Sequence, residues 1–210
     1  EYRVDVDGAR HVLEACVAAG VQRIVVSSSG AAYGYHADNP QWLREDDPVR
    51  GNDEFPYAKH KRLVEQMLGA FRETDPQLEQ VVFRIGTILG PTVKNQITAL
   101  WDGPALLAVR GSESPFVFVW VDDVAAAMAH AATDGPPGIY NVAGDGAVTV
   151  RQIAQRLGKP VLNVPASPCA SPPKMCSRSS KNICPNLAPP KTRSISPDRA
   201  ATNGTTPAPS

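Results

Sequence analysis

The sequence is poor in several features that mark specialised classes of protein. It has no run of about 18 apolar residues, so it offers no membrane-spanning helix. Its four cysteines in 210 residues are too few for a scaffold built on disulfides. Basic and acidic residues balance at 21 each, which argues against a polycationic nucleic-acid binder. These absences leave a globular protein of about one domain, with neither nucleic acid nor membrane as a partner.

The ends of the sequence lack two further features. The first residues show neither the charged nor the apolar region of a signal peptide, so we expect a cytoplasmic protein. Residues 165–210 lack Phe, Tyr and Trp, and they hold ten of the twenty prolines. Such a segment cannot bury enough apolar surface to offset the entropy lost on ordering. We therefore expect a folded domain over 1–164 and a disordered basic tail over 165–210, with a short linear binding motif in the tail as the alternative.

The tail also holds three of the cysteines, Cys169, Cys176 and Cys184. Their spacing, without a nearby histidine, fits no common zinc site. We expect no metal in this protein.

Helix-like and strand-like stretches alternate along residues 1–164, which is typical of an α/β domain with a largely parallel sheet. Apolar spacing predicts helices over 7–19, 57–73 and 122–132. A fourth helix is predicted after Thr149, because Thr149 and Gln152 have the spacing of a capping box. Strands are predicted over 23–28, 80–85, 115–120 and 139–142.

One pair of residues on the second predicted helix has the chemistry of a proton-transfer site. Tyr57 and Lys61 stand four residues apart, so a phenol and an ammonium project from the same face. A cation beside a phenol favours the phenolate, which is a base. Taken alone, this pair fits an exposed helix face better than a proton-transfer site.

A cluster of hydroxyls precedes this helix. The apolar strand at 23–28 ends in Ser27 and Ser28, and Ser29 and Gly30 follow it directly. In an open parallel sheet, ligands bind beyond the carboxyl ends of the strands, where these hydroxyls would lie. Serines in such a place also satisfy backbone groups in turns. The order of strand, serines, loop and Tyr-x-x-x-Lys helix is more specific than either part.

With these residues in order, the sequence resembles the extended short-chain dehydrogenase/reductase family. The resemblance is to its NAD-dependent epimerase/dehydratase branch, which includes the UDP-galactose 4-epimerases, and it runs from Val4 to Val164. The matching segments are Asp7–Ala15, Gly20–Ser29, Tyr33–Gly34, Glu45–Pro48, Pro56–Lys61 with Glu65, Phe83–Thr87 with Gly90–Pro91, Val121–Ala125 and Tyr140–Val142. The resemblance implies a Rossmann-type, doubly wound parallel sheet.

The resemblance also assigns roles by position. Tyr57 would be the general acid/base for a substrate hydroxyl while hydride moves to or from the nicotinamide of NAD or NADP. Lys61 would hold the nicotinamide ribose and favour the phenolate of Tyr57. Ser29 would hydrogen-bond the reacting oxygen. Gly86 would lie beside the nicotinamide, and Thr87 would touch a nucleotide-sugar substrate.

Two positions help to choose between reactions within the family. Gly30 and Ala31 stand where the 4,6-dehydratases carry an acid pair, and neither side chain can transfer a proton. Dehydration is therefore disfavoured, and an epimerase or reductase is favoured. A reductase of the 3β-hydroxysteroid or flavonoid type is a lesser option, since Tyr33–Gly34 after the serines is closer to the sugar-nucleotide branch.

Three departures from the family pattern count against activity. His60 stands where serine is frequent before the lysine, Asp5 where asparagine is usual, and Trp120 where histidine is common.

The sequence has no G-x-G-x-x-G motif of the kind that holds a pyrophosphate; Gly144-Asp145-Gly146 lacks the third glycine. We therefore expect an N-terminally truncated fragment, in which the sheet lacks its first mononucleotide-binding unit. The enzyme hypothesis is an NAD(P)-dependent epimerase or reductase with a Ser-Tyr-Lys site. The alternative is an inactive remnant that retains only the fold and association between helices. Homodimerisation through the helices at 7–19 and 57–73 is a further expectation, although their apolar faces can equally belong to the core.

Overall fold

A computed structural model of the chain describes residues 1–95, 97–111, 113 and 115–165. The predicted disordered tail falls, except for Pro165, outside the described residues.

Helices and strands alternate along the described chain. The helices are α1 (Gly8–Ala18), α2 (Pro56–Thr74), α3 (Val121–Thr133) and α4 (Val150–Leu157). The strands are β1 (Arg23–Ser29), β2 (Glu79–Ile85), β3 (Thr87–Leu89), β4 (Leu106–Val109), β5 (Pro115–Phe116), β6 (Phe118–Trp120), β7 (Gly138–Val142), β8 (Val148–Thr149) and β9 (Val161–Val164). A π-helical segment, Arg3–Asp7, precedes α1, and two 3₁₀ helices cover Gly30–Tyr33 and Thr98–Trp101.

The central sheet is parallel and has helices on both faces. Its strand order is β1-β2-β7, and the strands end level with one another, because Ser29 pairs with Ile85 and Ile85 with Val142. Alternate residues of β2 face opposite sides. Val82 packs into a core formed with α1 and α2, whereas Phe83 packs into a core formed with α3. The predicted Rossmann-like α/β fold is confirmed.

Three small strand pairs surround this sheet. β3 pairs with β6 and β4 with β9, both parallel, while β5 and β8 are antiparallel. Helix α4 covers a third core, which contains Leu106, Phe116 and Ile153. The capping box predicted at its start is confirmed, since the Thr149 side chain accepts from the Gln152 backbone and the Gln152 side chain accepts from the Thr149 N–H.

One predicted strand was wrong in detail, and others were not predicted. The strand expected over 115–120 is two strands separated by Val117, because β5 pairs with β8 whereas β6 pairs with β3. Strands β3, β4 and β9 have only three or four residues, too few to show a period of two. No helix among the described residues is long and apolar enough to cross a membrane.

Candidate functional site

Ser29 lies where β1 ends, at the carboxyl edge of the central sheet. Its Oγ accepts a hydrogen bond from the Ala31 N–H at 3.2 Å and so caps the 3₁₀ helix Gly30–Tyr33. The next strand places Gly86 at the same edge, directly after Ile85, the partner of Ser29. The structure therefore brings two of the predicted site residues to neighbouring strand ends.

Tyr57 and Lys61 lie on the first turns of α2. Pro56 occupies the first helical turn, where its missing N–H costs nothing. The Tyr57 side chain is half exposed, and the Lys61 Nζ lies 5.7 Å from the centroid of its ring. The same Nζ donates to the Ser27 carbonyl at 3.0 Å. Lys61 thus connects the Tyr57 ring to the end of β1, two residues before Ser29.

Gly86 and Thr87 lie against Val117. The Gly86 N–H donates to the Val142 carbonyl at 2.9 Å, and the Thr87 N–H donates to the Val117 carbonyl at 3.0 Å. A Cβ on Gly86 would lie 3.2 Å from both Val117 O and Val117 Cγ2. A side chain at position 86 would therefore press against both the backbone and the side chain of Val117.

A row of polar side chains lies beneath this edge, buried in the sheet. Ser28, Arg84 and Asn141 are directly paired across β1, β2 and β7. The Ser28 hydroxyl donates to Glu65 Oε1, and Arg84 donates to both Glu65 oxygens from Nε and to Oε2 from Nη2. Glu65 belongs to α2, one turn after Lys61. The row thus ties the site helix to the strand that carries Ser29.

The row continues from Arg84 to the loop that follows the 3₁₀ helix. Arg84 Nη1 donates to the Tyr33 hydroxyl at 2.8 Å and to the Glu45 carbonyl at 3.0 Å. The Tyr33 hydroxyl lies 2.7 Å from Asn141 Oδ1 and 2.8 Å from the Arg44 carbonyl, either of which can accept its proton. The Glu45 carboxylate accepts from the Asn141 N–H at 3.0 Å. The loop after the 3₁₀ helix is therefore held by buried polar contacts.

Burial and the contact between Arg84 and Glu65 both shift pKa values in this row. Burial raises the pKa of Tyr33 above its ordinary value of 10.0, although the charge and hydrogen bond of Arg84 act against that rise. Burial by itself would lower the pKa of Arg84, but the hydrogen bond and charge of Glu65 raise it above its ordinary value. The row is thus a charged pair with neutral tyrosine beside it.

Sequence reasoning expected the Ser28 hydroxyl at the ligand-binding edge of the sheet, but Ser28 is buried and its hydroxyl donates to Glu65. It gave Glu65, Arg84 and Asn141 no role. Their signal was nevertheless present, because Arg84 and Asn141 each interrupt an apolar strand one residue before its end. A charged residue buried in a strand needs a partner. Glu65, placed among apolar neighbours on α2, is that partner.

Two of the three departures from the family pattern contact each other. The carboxylate of Asp5, in the π-helical segment, lies 2.7 Å from Nδ1 of His60 on α2. The third departure, Trp120, is half exposed and lies just before α3. Within the described ranges, no group of three or more His, Cys, Asp or Glu residues could hold a metal ion.

The chain is similar to a family model, to curated proteins and to solved structures. The model described as NAD dependent epimerase/dehydratase family matches residues 1–143. The chain belongs to this family. Its members among the similar proteins include the human UDP-glucose 4-epimerase, which is 36% identical over 84 residues, covering 40% of this chain and 23% of that protein. The family predicted from the sequence is therefore confirmed.

Longer matches cover most of the chain. An uncharacterised protein of Mycobacterium tuberculosis is 24% identical over 163 residues, which are 77% of this chain and 43% of that protein. The UDP-glucose 4-epimerase of Thermus thermophilus, solved in complex with NAD, superimposes with a TM-score of 0.63 at 28% identity. That match covers 80% of this chain and 59% of the other. The chain thus spans about half the length of each of these two relatives.

Proposed function

We propose that this chain carries the Ser-Tyr-Lys part of a site for hydride transfer at one carbon of a nucleotide sugar. The observation that carries the proposal is the position of Lys61, which contacts the Tyr57 ring and the end of β1 beside Ser29. The names of the similar proteins, UDP-glucose 4-epimerases, support a nucleotide sugar as the substrate class.

The residues at this edge fit the nicotinamide end of NAD or NADP. An ammonium, a half-exposed phenol and a hydroxyl are donors that can reach ribose hydroxyls and a reacting oxygen. The sequence contains no glycine-rich turn for the pyrophosphate. When bound, the cofactor supplies the atom that takes or gives the hydride.

In the proposed reaction, the chain's own residues handle the proton and the oxygen. The Tyr57 phenolate takes the proton of the substrate hydroxyl while the hydride leaves the same carbon, so a ketone forms. Ser29 donates a hydrogen bond to that oxygen, and Lys61 holds the ribose and stabilises the phenolate. Reversal returns the proton from Tyr57 and the hydride to the carbon.

Gly30 and Ala31 support oxidation and reduction without dehydration. Gly30 begins the 3₁₀ helix and Ala31 is buried within it, so neither position offers an acid next to Ser29. We expect turnover of UDP-glucose in D₂O to place no deuterium on carbon. Deuterium on carbon, detected by NMR, would show removal of a carbon-bound proton and contradict this assignment.

The test of the proposed site is cofactor binding by the 210-residue chain. We expect NADH fluorescence to change when the chain is titrated with cofactor up to about 1 mM, the upper end of ordinary KM values. Tyr57→Phe should abolish turnover of UDP-glucose and leave the unfolding transition unchanged. The matched control Tyr140→Phe should keep this turnover. An absence of binding would favour the inactive alternative for this chain.

We also propose that two copies associate through α1 and α2. The structure uses most of the apolar residues of these helices in the core, among them Leu13, Met67 and Leu68. Val12 points outward and is half exposed, which leaves an apolar contact on α1 for a second copy. Light scattering should show a dimer that Val12→Glu converts to a monomer; a wild-type monomer would remove this part of the proposal.

A further inference from the structure

Asp5 and His60 connect the N-terminal segment to the helix that carries Tyr57 and Lys61. The Asp5 Oδ2 and the His60 Nδ1 are 2.7 Å apart, so the imidazole N–H donates to the carboxylate. The His60 side chain is 9% exposed, whereas that of Asp5 is 46% exposed. The Tyr2 ring lies nearly perpendicular to the imidazole, with the two ring centroids 5.5 Å apart.

The segment that contains Asp5 packs against the hydrophobic core. Asp5 belongs to the π-helical segment Arg3–Asp7. The π-helix is a rare conformation, and many of its occurrences are at functional sites. Val6, the next residue, is buried in the core with Met67 and Leu68 of α2. The segment that contains Asp5 thus packs against α2, the same helix whose His60 binds the Asp5 carboxylate.

His60 lies within one turn of both site residues on α2. It follows Tyr57 by three residues and precedes Lys61 by one, and each residue advances a helix by about 1.5 Å. A slide or rotation of the first turns of α2 would break the contact with Asp5. The same part of α2 is also held by the bond from Lys61 to the Ser27 carbonyl.

We propose that Asp5 and His60 are a positioning pair, which sets the place of Tyr57 and Lys61 relative to the end of β1. Each residue alone is a departure from the family pattern, but together they form one complementary donor and acceptor. Because they bind each other, Asp5 and His60 act as one unit and do not count separately against activity. The catalytic meaning of the pair rests on the proposed function, whereas the pairing itself can be measured without cofactor.

The test follows the ring of Tyr57 in the full chain by ¹³C–¹H NMR, with its signals assigned from Tyr57→Phe. Asp5→Ala and His60→Ala should each shift the Tyr57 signals, and the double variant should shift them no further than the larger single effect. If the pair has only a structural role, the alanine variants will unfold at a lower temperature but keep the wild-type Tyr57 signals. The matched control is Asp7→Ala, which removes a carboxylate from the same segment and should leave Tyr57 unmoved.

Conservative variants decide the matter if the alanine variants do not fold. His60→Asn keeps an amide donor near the position of Nδ1, whereas His60→Gln places its amide one bond further out. We expect His60→Asn and Asp5→Asn to keep the wild-type Tyr57 signals and His60→Gln to shift them. Equal shifts in the two His60 variants would overturn the positioning pair.

The two proposals fail in different ways. If the wild-type chain binds no NADH but the Tyr57 signals respond as expected, the proposed function fails and the pair stands. If NADH binds and the Tyr57 signals stay in place in all variants, or if the double variant shows the sum of the single shifts, the pair is overturned and the function stands.

Discussion

Nε and Nη2 of Arg84 both reach Oε2 of Glu65, at 2.8 and 2.6 Å, where neither side chain is more than 4% exposed. Ser28 donates to the other oxygen of the same carboxylate. A buried pair with this many hydrogen bonds is costly to break from one side, because the remaining charge has no solvent to replace its partner.

We expect Glu65→Gln to lower the free energy of unfolding by about 3–5 kcal/mol, since it leaves the Arg84 guanidinium buried without a counter-charge. Urea unfolding measures this loss. The matched control is Glu79→Gln, whose carboxylate pairs with Arg23 and is 47% exposed, and it should cost at most about 1 kcal/mol. Equal losses in the two variants would contradict the importance of the buried pair.

Tyr33 should make stability depend on alkaline pH. Burial raises its pKa in the folded protein above the ordinary 10.0, so the unfolded chain loses the proton first as pH rises. The stabilisation is complete below the unfolded value and is lost as pH rises through the folded value. Tyr33→Phe should therefore show a smaller fall in free energy of unfolding between about pH 9 and pH 11 than the wild type. If the free energy of unfolding of Tyr33→Phe falls with pH as steeply as that of the wild type, the prediction is wrong.

The start of α4 should depend on its capping box. Thr149→Ala removes the acceptor for the Gln152 N–H and should cost about 1 kcal/mol of stability. Thr149→Ser keeps the hydroxyl and serves as the control, with a loss well below that of alanine. Thermal unfolding of the three proteins by circular dichroism measures the difference; equal midpoints for alanine and serine would argue against the cap.

Gly51 should be intolerant of a side chain. Its N–H donates to the Ala32 carbonyl at 2.9 Å, and an added Cβ would overlap the carbonyl of Ala58 in the first turn of α2. Gly51→Ala should destabilise the protein by about 1–3 kcal/mol, because backbone must move. Gly103→Ala is the control, since a Cβ there meets only Ala105 O at 3.6 Å and should cost within about 0.5 kcal/mol. Urea unfolding compares the two variants, and equal losses would contradict the close approach at Gly51.

The sequence predicted the regular parts of this fold well, for identifiable reasons. Helices α1, α2 and α3 show apolar periods over three or more turns, and β2 is a buried apolar run between clear breaks. Elements that lack such length, among them β3, β4 and β9, left no periodic signal. Their pairing is decided by contacts distant in sequence, such as that of β4 with β9.

The sequence predicts those site residues that lie together on one helix or one strand, but it does not predict the contacts between different elements. Tyr57 and Lys61 are four apart on α2, so local spacing revealed them. The contact of Lys61 with Ser27 and that of Asp5 with His60 join residues 34 and 55 positions apart. No local pattern specifies such pairs, which is why two paired departures first counted as two separate defects.

The buried row from Ser28 to Asn141 also constrains the order in which the chain can fold during synthesis. Glu65 and Arg84 are 19 residues apart and can meet early, whereas Tyr33 and Asn141 are 108 apart. The second contact must wait until β7 has left the ribosome, after more than half of the chain has emerged. Until then the Arg84 guanidinium has only part of its final set of neighbours, so the buried row is complete only after β7 has emerged.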